Sequence, residues 1–219
     1  MYKYILFDLD GTISDPKVGI CTSVQHALEK MGICPPDIES LTPFIGPPLR
    51  DSFKEYFDIK DEDMERCIGY YRERFSTIGL YENELYDGMA DLLKELHEKG
   101  CKVAVASSKP RVFCEKIMEY FHVAEYFDVI MGSELDGSRE KKSDVIDEVL
   151  RRFFNGKTPD LSQVVMVGDR KFDIEGAKKM SIPNIGVAYG YGSKEELTEA
   201  KADYVADTVE DLRKFLLNP

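Results

Sequence analysis

Tyr4-Ile5-Leu6-Phe7-Asp8-Leu9-Asp10-Gly11-Thr12 is a short apolar run that stops on two carboxylates and a glycine. Continuous apolar runs of this length read as strands buried on both faces, the strands of parallel sheets. Ligands of open α/β sheets bind beyond the carboxyl ends of the strands, so Asp8 and Asp10 stand where chemistry is done. Two carboxylates two residues apart can divide a reaction, one attacking while the other moves a proton, or both can hold a metal. Gly11 lets the backbone turn sharply behind them. Taken alone, Asp-x-Asp-Gly is also a common surface turn. A calcium loop does not fit, because its sixth position must be glycine and is Ile13 here.

Outward from this stretch, similar runs recur at 103–106, 127–131, 164–167, 185–188 and, more weakly, 204–206. Helical patterns lie between them. Met89, Leu92, Leu93 and Leu96 form one, with Gly100 as its stop; Val145, Ile146, Val149, Leu150 and Phe153 form another. The alternation predicts an α/β fold with a Rossmann-like parallel sheet. One segment interrupts it. Val18, Cys21, Val24 or Gln25, Leu28 and Met31 make a helical stripe, with Asp15 as N-cap and Pro16 at the first helical position. Met64, Cys67 or Ile68, Tyr71, Phe75 and Ile78 make another, and Pro35-Pro36 and Pro47-Pro48 punctuate the segment. The expected organisation is a core of residues 1–15 and 83–219 with an inserted, all-helical domain at 16–82. The charge run 58–65 reads as a solvated helix start.

A second acidic pair follows the run at 164–167, with Asp169 at the strand end and Asp173 at the start of the next helix. Clustered carboxylates repel unless a cation neutralises them, and hard oxygen ligands suit Mg2+. Asp173 alone reads equally as a helix-start acid favoured by the dipole. The run at 103–106 ends in Ser107-Ser108-Lys109-Pro110. A hydroxyl and N–H groups leading into a helix form an anion cradle, although serine is also common at caps. The polar loop beyond 127–131 carries Arg139, Lys141 and Lys142. A lysine from it would balance the carboxylates and bind phosphate as a point charge.

These parts, in this order, resemble the haloacid dehalogenase superfamily of phosphohydrolases over essentially the whole chain, and the helical insertion resembles the family's first type of cap. Gly46-Pro47-Pro48-Leu49, Ser107-Ser108-Lys109-Pro110, Gly168-Asp169-Arg170 and Gly190-Tyr191-Gly192 are most similar to phosphoglycolate-phosphatase-like and 5′-nucleotidase-like members. The resemblance implies a small phosphorylated metabolite as substrate. Asp8 would form an aspartyl-phosphate, and Asp10 would protonate the leaving alcohol and then activate water. Ser107 would hydrogen-bond the phosphoryl group, and Lys142 or Lys141 would neutralise its charge. Mg2+ would be held by Asp8, the Asp10 carbonyl and Asp169, with Asp173 in support. Gly11, Thr12, Ser108 and Lys109 are expected on the phosphate side, and Gly46 and Arg50 on the leaving-group side of the cap. Gly46-Arg50 reads equally as a plain interhelical turn, and Arg72 and Arg74 as a solvated face. The chain departs from the family pattern twice: Lys141-Lys142-Ser143-Asp144 stands for the usual Lys-Pro, and Ser108 for the usual Asn. Lys142 is preferred because it immediately precedes the helix starting near Ser143.

Composition narrows the function classes. Among 219 residues, 29 Lys and Arg face 41 Asp and Glu, a net charge of −12, which argues against a nucleic-acid polymer or an anionic membrane as partner. Five widely spaced cysteines without a CxxC indicate neither a disulfide framework nor a zinc knuckle. The N-terminal apolar run is too short for a signal peptide, and no stretch approaches the ~20 apolar residues of a membrane span; the expected location is a reducing cytoplasm. Only four residues separate Cys67 from Arg72, so a Cys-x5-Arg phosphatase does not fit. His26, His97 and His122 all fall in helical patterns, and Gly190-Tyr191-Gly192 sits too late for dinucleotide binding. Within the superfamily, dehalogenase and phosphonatase chemistries are disfavoured by the second aspartate. A phosphomutase of the β-phosphoglucomutase kind and a non-catalytic phosphate-ligand binding protein stay open as alternatives. The particular ester and the oligomeric state are left open.

Overall fold

The computed structural model describes residues 2–217. The apolar runs assemble into a six-stranded parallel sheet of β1 (Tyr4–Phe7), β4 (Lys102–Pro110), β5 (Val129–Ser133), β6 (Val164–Gly168), β7 (Asn184–Val187) and β8 (Tyr204–Ala206), in the order β5-β4-β1-β6-β7-β8. Helices α4 (Met89–Glu98), α5 (Arg111–Tyr120), α6 (Lys142–Phe154), α7 (Lys171–Lys179) and α8 (Lys194–Glu199) form the crossovers, and α9 (Val209–Leu217) follows β8. This is a doubly wound, Rossmann-like arrangement, and its strand order reverses between β1 and β6.

Both faces of the sheet are covered, which explains why its strands read as continuous rather than alternating apolar runs. On one face Leu6, Ala104, Ala106, Val164 and Met166, alternate residues of their strands, cluster with Val145, Ile146, Val149 and Leu150 of α6 and Ala177 of α7. The intervening Ile5, Phe7, Val103, Val105, Val165 and Val167 are buried too. Each such aliphatic side chain contributes about 1.5–3 kcal/mol relative to exposure.

Several strand limits differ from the sequence reading. β5 begins at Val129 rather than 127, because Ala124–Tyr126 form a 3-10 turn and the Asp128 carboxylate accepts from the Val103 N–H at 3.0 Å. β4 runs on through Ser107–Lys109, with a register irregularity between Ala106 and Pro110, where Pro110 pairs with Ser133. β7 lies one residue earlier than read.

The chain divides into two units, Met1–Asp15 with Leu85–Pro219, and Pro16–Glu84. β2 (Ser14–Asp15) and β3 (Glu84–Leu85) form a separate two-stranded sheet. The second unit contains α1 (Lys17–Lys30), α2 (Leu49–Phe57) and α3 (Asp61–Arg74). Asp15 is not the N-cap of α1; Pro16 occupies that position with no side-chain cap. The apolar stripes are also displaced. Val18 is 50% exposed and Ile78 54% exposed. Gly19 instead meets Gly79, where an added Cβ would stand 1.9 Å from the Gly79 carbonyl oxygen. Phe75–Gly79 form a π-turn closed by Leu80 N–H to Phe75 O at 2.7 Å. That extra residue rotates Ile78 outward and Leu80 inward. Arg74 lies against Glu82 at 2.7 and 3.0 Å, a half-buried bidentate pair rather than part of a solvated face. No disulfide joins any of the five cysteines, and only Cys34 is exposed. Among the described residues no helix is long and apolar enough to cross a membrane.

Candidate active site

Register brings the polar strand ends together. Phe7 at the end of β1 pairs with Val105 of β4 on one side and Val167 of β6 on the other. Asp8 therefore comes one residue past the central strand, Ser107 two past Val105 and Asp169 two past Val167. The Asp8 N–H still donates to Val167 O at 2.9 Å. The three side chains thus stand at the carboxyl ends of adjacent strands, at the point where the strand order reverses. Asp8, Asp10, Thr12, Ser107, Lys109, Lys142, Asp169 and Asp173 are all buried.

Lys142 opens α6 and reaches across the strand ends. Its Nζ lies 3.0 Å from Asp8 Oδ1 and 2.8 Å from Asp173 Oδ1 and donates to the Ala106 carbonyl at 3.0 Å. Burial works against its charge, but Asp173 and Asp8 outweigh it and raise the Lys142 pKa. Lys141, one residue earlier, is exposed. Gly176 of α7 makes room for the lysine stem, since a Cβ there would stand 2.8 Å from its Cγ. Asp173 Oδ2 accepts from the Arg170 N–H at 3.1 Å, so this acid both starts its helix and joins the cluster. Burial pushes its carboxyl up to about 6, with Lys142 opposing.

Asp10 and Lys109 form a second buried pair, Nζ to Oδ1 at 2.7 Å. Burial raises the Asp10 carboxyl, and Lys109 pulls the other way. Lys109, read from the sequence on the phosphate side, is thus placed on a carboxylate. Ser107 Oγ accepts from the Lys109 N–H at 3.3 Å, and the carbonyl of half-buried Ser108 accepts from the Ser133 hydroxyl at 2.7 Å. Gly11 and Thr12 pack on Asp169. Gly11 has φ +80°, and a Cβ on it would stand 2.2 Å from Asp169 Oδ2; the Thr12 hydroxyl lies 3.3 Å from Asp169 Oδ1. Gly46 and Arg50 belong to the other unit, where the Arg50 guanidinium pairs with Glu65.

The sequence reading missed what holds Asp169. The Tyr191 N–H donates to Asp169 Oδ2 at 2.8 Å, and the Tyr189 hydroxyl to the Thr12 carbonyl at 3.0 Å. A Cβ on Gly190 would stand 2.5 Å from the Asp169 Cβ, and one on Gly192 1.8 Å from the Asp169 carbonyl oxygen. The available signal was Gly-Tyr-Gly directly beyond a strand run. Gly192→Ala is expected to destabilise the protein by about 1–3 kcal/mol by forcing this loop off Asp169. Thermal denaturation checks it, and an unchanged Tm would show that the contact relaxes freely.

Asp8, Asp169 and Asp173 each offer a carboxylate oxygen, all within 4.8 Å of one another. Burial drives the Asp169 carboxyl well up, and Asp173 and Asp8 add to the shift. Fully ionised, the four buried carboxylates would outnumber the two ammonium groups by two charges. Hard oxygen donors with that excess fit a divalent cation.

The sequence profile of the haloacid dehalogenase-like hydrolases matches residues 5–187. The chain is 40% identical over 215 residues to a 5′-nucleotidase of Pseudomonas aeruginosa, covering 98% of this chain and 96% of that one. It is 35% identical over 216 residues to the tyrosine-protein kinase PtkA of Mycobacterium tuberculosis, covering 98% of this chain and 72% of that one. The crystal structure of a "predicted phosphatase" from Clostridium acetobutylicum superimposes with a TM-score of 0.94 at 44% identity, covering all of both chains. With these matches running through β1 and the strand ends that carry Asp8, Ser107 and Asp169, the chain belongs to the haloacid dehalogenase-like hydrolase family.

Proposed function

We propose that this hydrolase cleaves small phosphate monoesters with Mg2+ and with Asp8 as nucleophile. The enzyme is a phosphatase of its family. The observation that carries the finer reading is Lys142 lying between Asp8 and Asp173, with Asp169 completing a buried acidic triad. Asp8 attacks phosphorus while the ester oxygen departs, giving an aspartyl-phosphate that water then hydrolyses. Asp10, whose carboxyl burial raises, delivers a proton to the leaving oxygen and later takes one from the attacking water, a use suited to a carboxyl held above its ordinary range. Lys142 orients Asp8 and offsets the charge of the phosphoryl oxygens, and Ser107 hydrogen-bonds them. Asp8, the Asp10 carbonyl and Asp169 would hold Mg2+, with Asp173 in support; the ion supplies the positive charge that lets an anionic ester approach a carboxylate. A nucleoside monophosphate is the first substrate to assay, in view of the Pseudomonas relative's name.

Phosphate release from a panel of nucleotide, sugar and two-carbon phosphate esters tests the reading, with Mg2+ and with chelator. Release that needs Mg2+ is expected; release undiminished by chelator would remove the metal, and none from any ester would remove the phosphatase reading. In parallel, Mg2+ is expected to raise the Tm of the wild type but not of Asp169→Asn. Without metal that variant is expected to be the more stable of the two at neutral pH, because the fold no longer has to bury an acid whose ionisation burial, Asp173 and Asp8 all oppose.

A further inference from the structure

We propose that Tyr191 is a positioning residue for the metal site: its hydroxyl, anchored on Asp15, holds its own backbone N–H against Asp169. The proposal rests on the reading above that Asp169 helps to hold Mg2+. Two contacts carry it. The Tyr191 N–H donates to Asp169 Oδ2 at 2.8 Å, and the Tyr191 hydroxyl donates to the Asp15 carboxylate. Asp15 is the last residue of the N-terminal stretch of its unit, so the bond ties the loop after β7 to the chain leaving the DxDGT turn.

The neighbours show why an anchor is needed. Asp169 packs so closely on positions 190 and 192 that both are glycine. A Gly-x-Gly segment has more backbone freedom to lose on ordering than any other. The backbone of Tyr191 would therefore wander unless its side chain were tied down. Tyr189 secures the same loop from the other side through its hydroxyl on the Thr12 carbonyl, with its ring edge-on to Tyr86 at 5.0 Å. The loop thus clasps both the DxDGT turn and Asp169. Hydrogen bonds to ligating carboxylates fix their orientation and are typically reflected about 10–100-fold in metal affinity. The Tyr191 hydroxyl acts one link further out, so an effect of about 3–10-fold is expected from its loss.

The sign separates positioning from simple electrostatics. Tyr191→Phe keeps the backbone N–H and leaves the Asp15 charge in place without its donor. Through space alone, that change would leave cation binding unaltered or tighter. Positioning predicts the opposite.

The experiment is calorimetric titration of the protein with MgCl2, alongside the Mg2+ dependence of Tm. Tyr191→Phe and Asp15→Ala are each expected to weaken Mg2+ binding about 3–10-fold, and the double variant no more than either single one. Asp15→Asn, which still offers an amide oxygen to the hydroxyl, should recover most of the affinity. The idea is overturned if Tyr191→Phe binds Mg2+ within twofold of wild type. It is likewise overturned if Asp15→Asn loses as much as Asp15→Ala while Tyr191→Phe loses nothing, which would mark a charge effect, or if Tm falls with affinity intact. Wild-type protein that takes up no Mg2+ would instead bring down the metal reading, and this proposal with it.

Discussion

Asp8→Asn is expected to abolish phosphate release, by about 10⁴-fold or more, while the protein stays folded. An amide does not form the acyl phosphate on which the two-step route depends, so the loss falls on the chemical step and not on binding. The fold has little reason to respond. Asp8 Oδ1 accepts the Leu9 N–H at 2.7 Å, which the amide oxygen of Asn also does. Lys142 keeps Asp173 and the Ala106 carbonyl when the Asp8 charge goes. Phosphate release, Tm and circular dichroism on the same preparation check this. Residual turnover above about a tenth of wild type, far from the loss expected for a missing nucleophile, would mean that another group attacks.

Lys142→Met is expected to damage both activity and stability. The lysine is the cation that touches Asp8 and Asp173 together, and all three side chains are buried. Removing one partner of a buried ion pair typically costs about 3–5 kcal/mol, because the other charge is left uncompensated. In a chain of this length that corresponds to a fall in Tm on the order of 10 °C. The fall should depend on pH in a defined direction. Asp173 has its carboxyl raised to about 6 by burial, above the ordinary 3.8. A carboxyl raised in the folded state destabilises the fold progressively as pH rises through that interval, and the penalty is complete above it. Without Lys142 the carboxyl moves further up, so the loss of Tm should be larger at pH 8 than at pH 5. Melting curves at the two pH values in the absence of metal decide it; an equal loss at both would mean that Lys142 does not neutralise the cluster. Lys141→Met, an exposed position, serves as the comparison.

Lys142 also shows how far the sequence could be read. Two adjacent lysines preceded a helical pattern, and the choice between them turned on where the helix begins. α6 starts at Lys142, and Gly176 of a different helix leaves the groove through which its stem passes. Asp10 and Lys109 were each visible at a strand end, but their pairing joins residues 99 positions apart. Nothing local announced it, because it depends on β4 continuing past Ala106 with an irregular register. Ile78 failed for a related reason. Its stripe assumed an unbroken 3.6-residue period, and the π-turn at Phe75–Gly79 inserts one residue into it.

Strand ends and helix stripes were legible from residue order because they obey short-range physics. An apolar run must be buried on both faces, and a glycine or acid beyond it must lie where the chain turns outward. Those constraints were enough to place Asp8 and Asp169 at the carboxyl ends of strands and to predict a parallel α/β sheet. Which charges meet is a different kind of question. Partners such as Lys142 with Asp173, Lys109 with Asp10 and Tyr191 with Asp15 are selected by strand order, register and the absence of a Cβ at Gly176, Gly190 and Gly192. Coulomb energy and desolvation act on distance and burial, which only the assembled sheet defines.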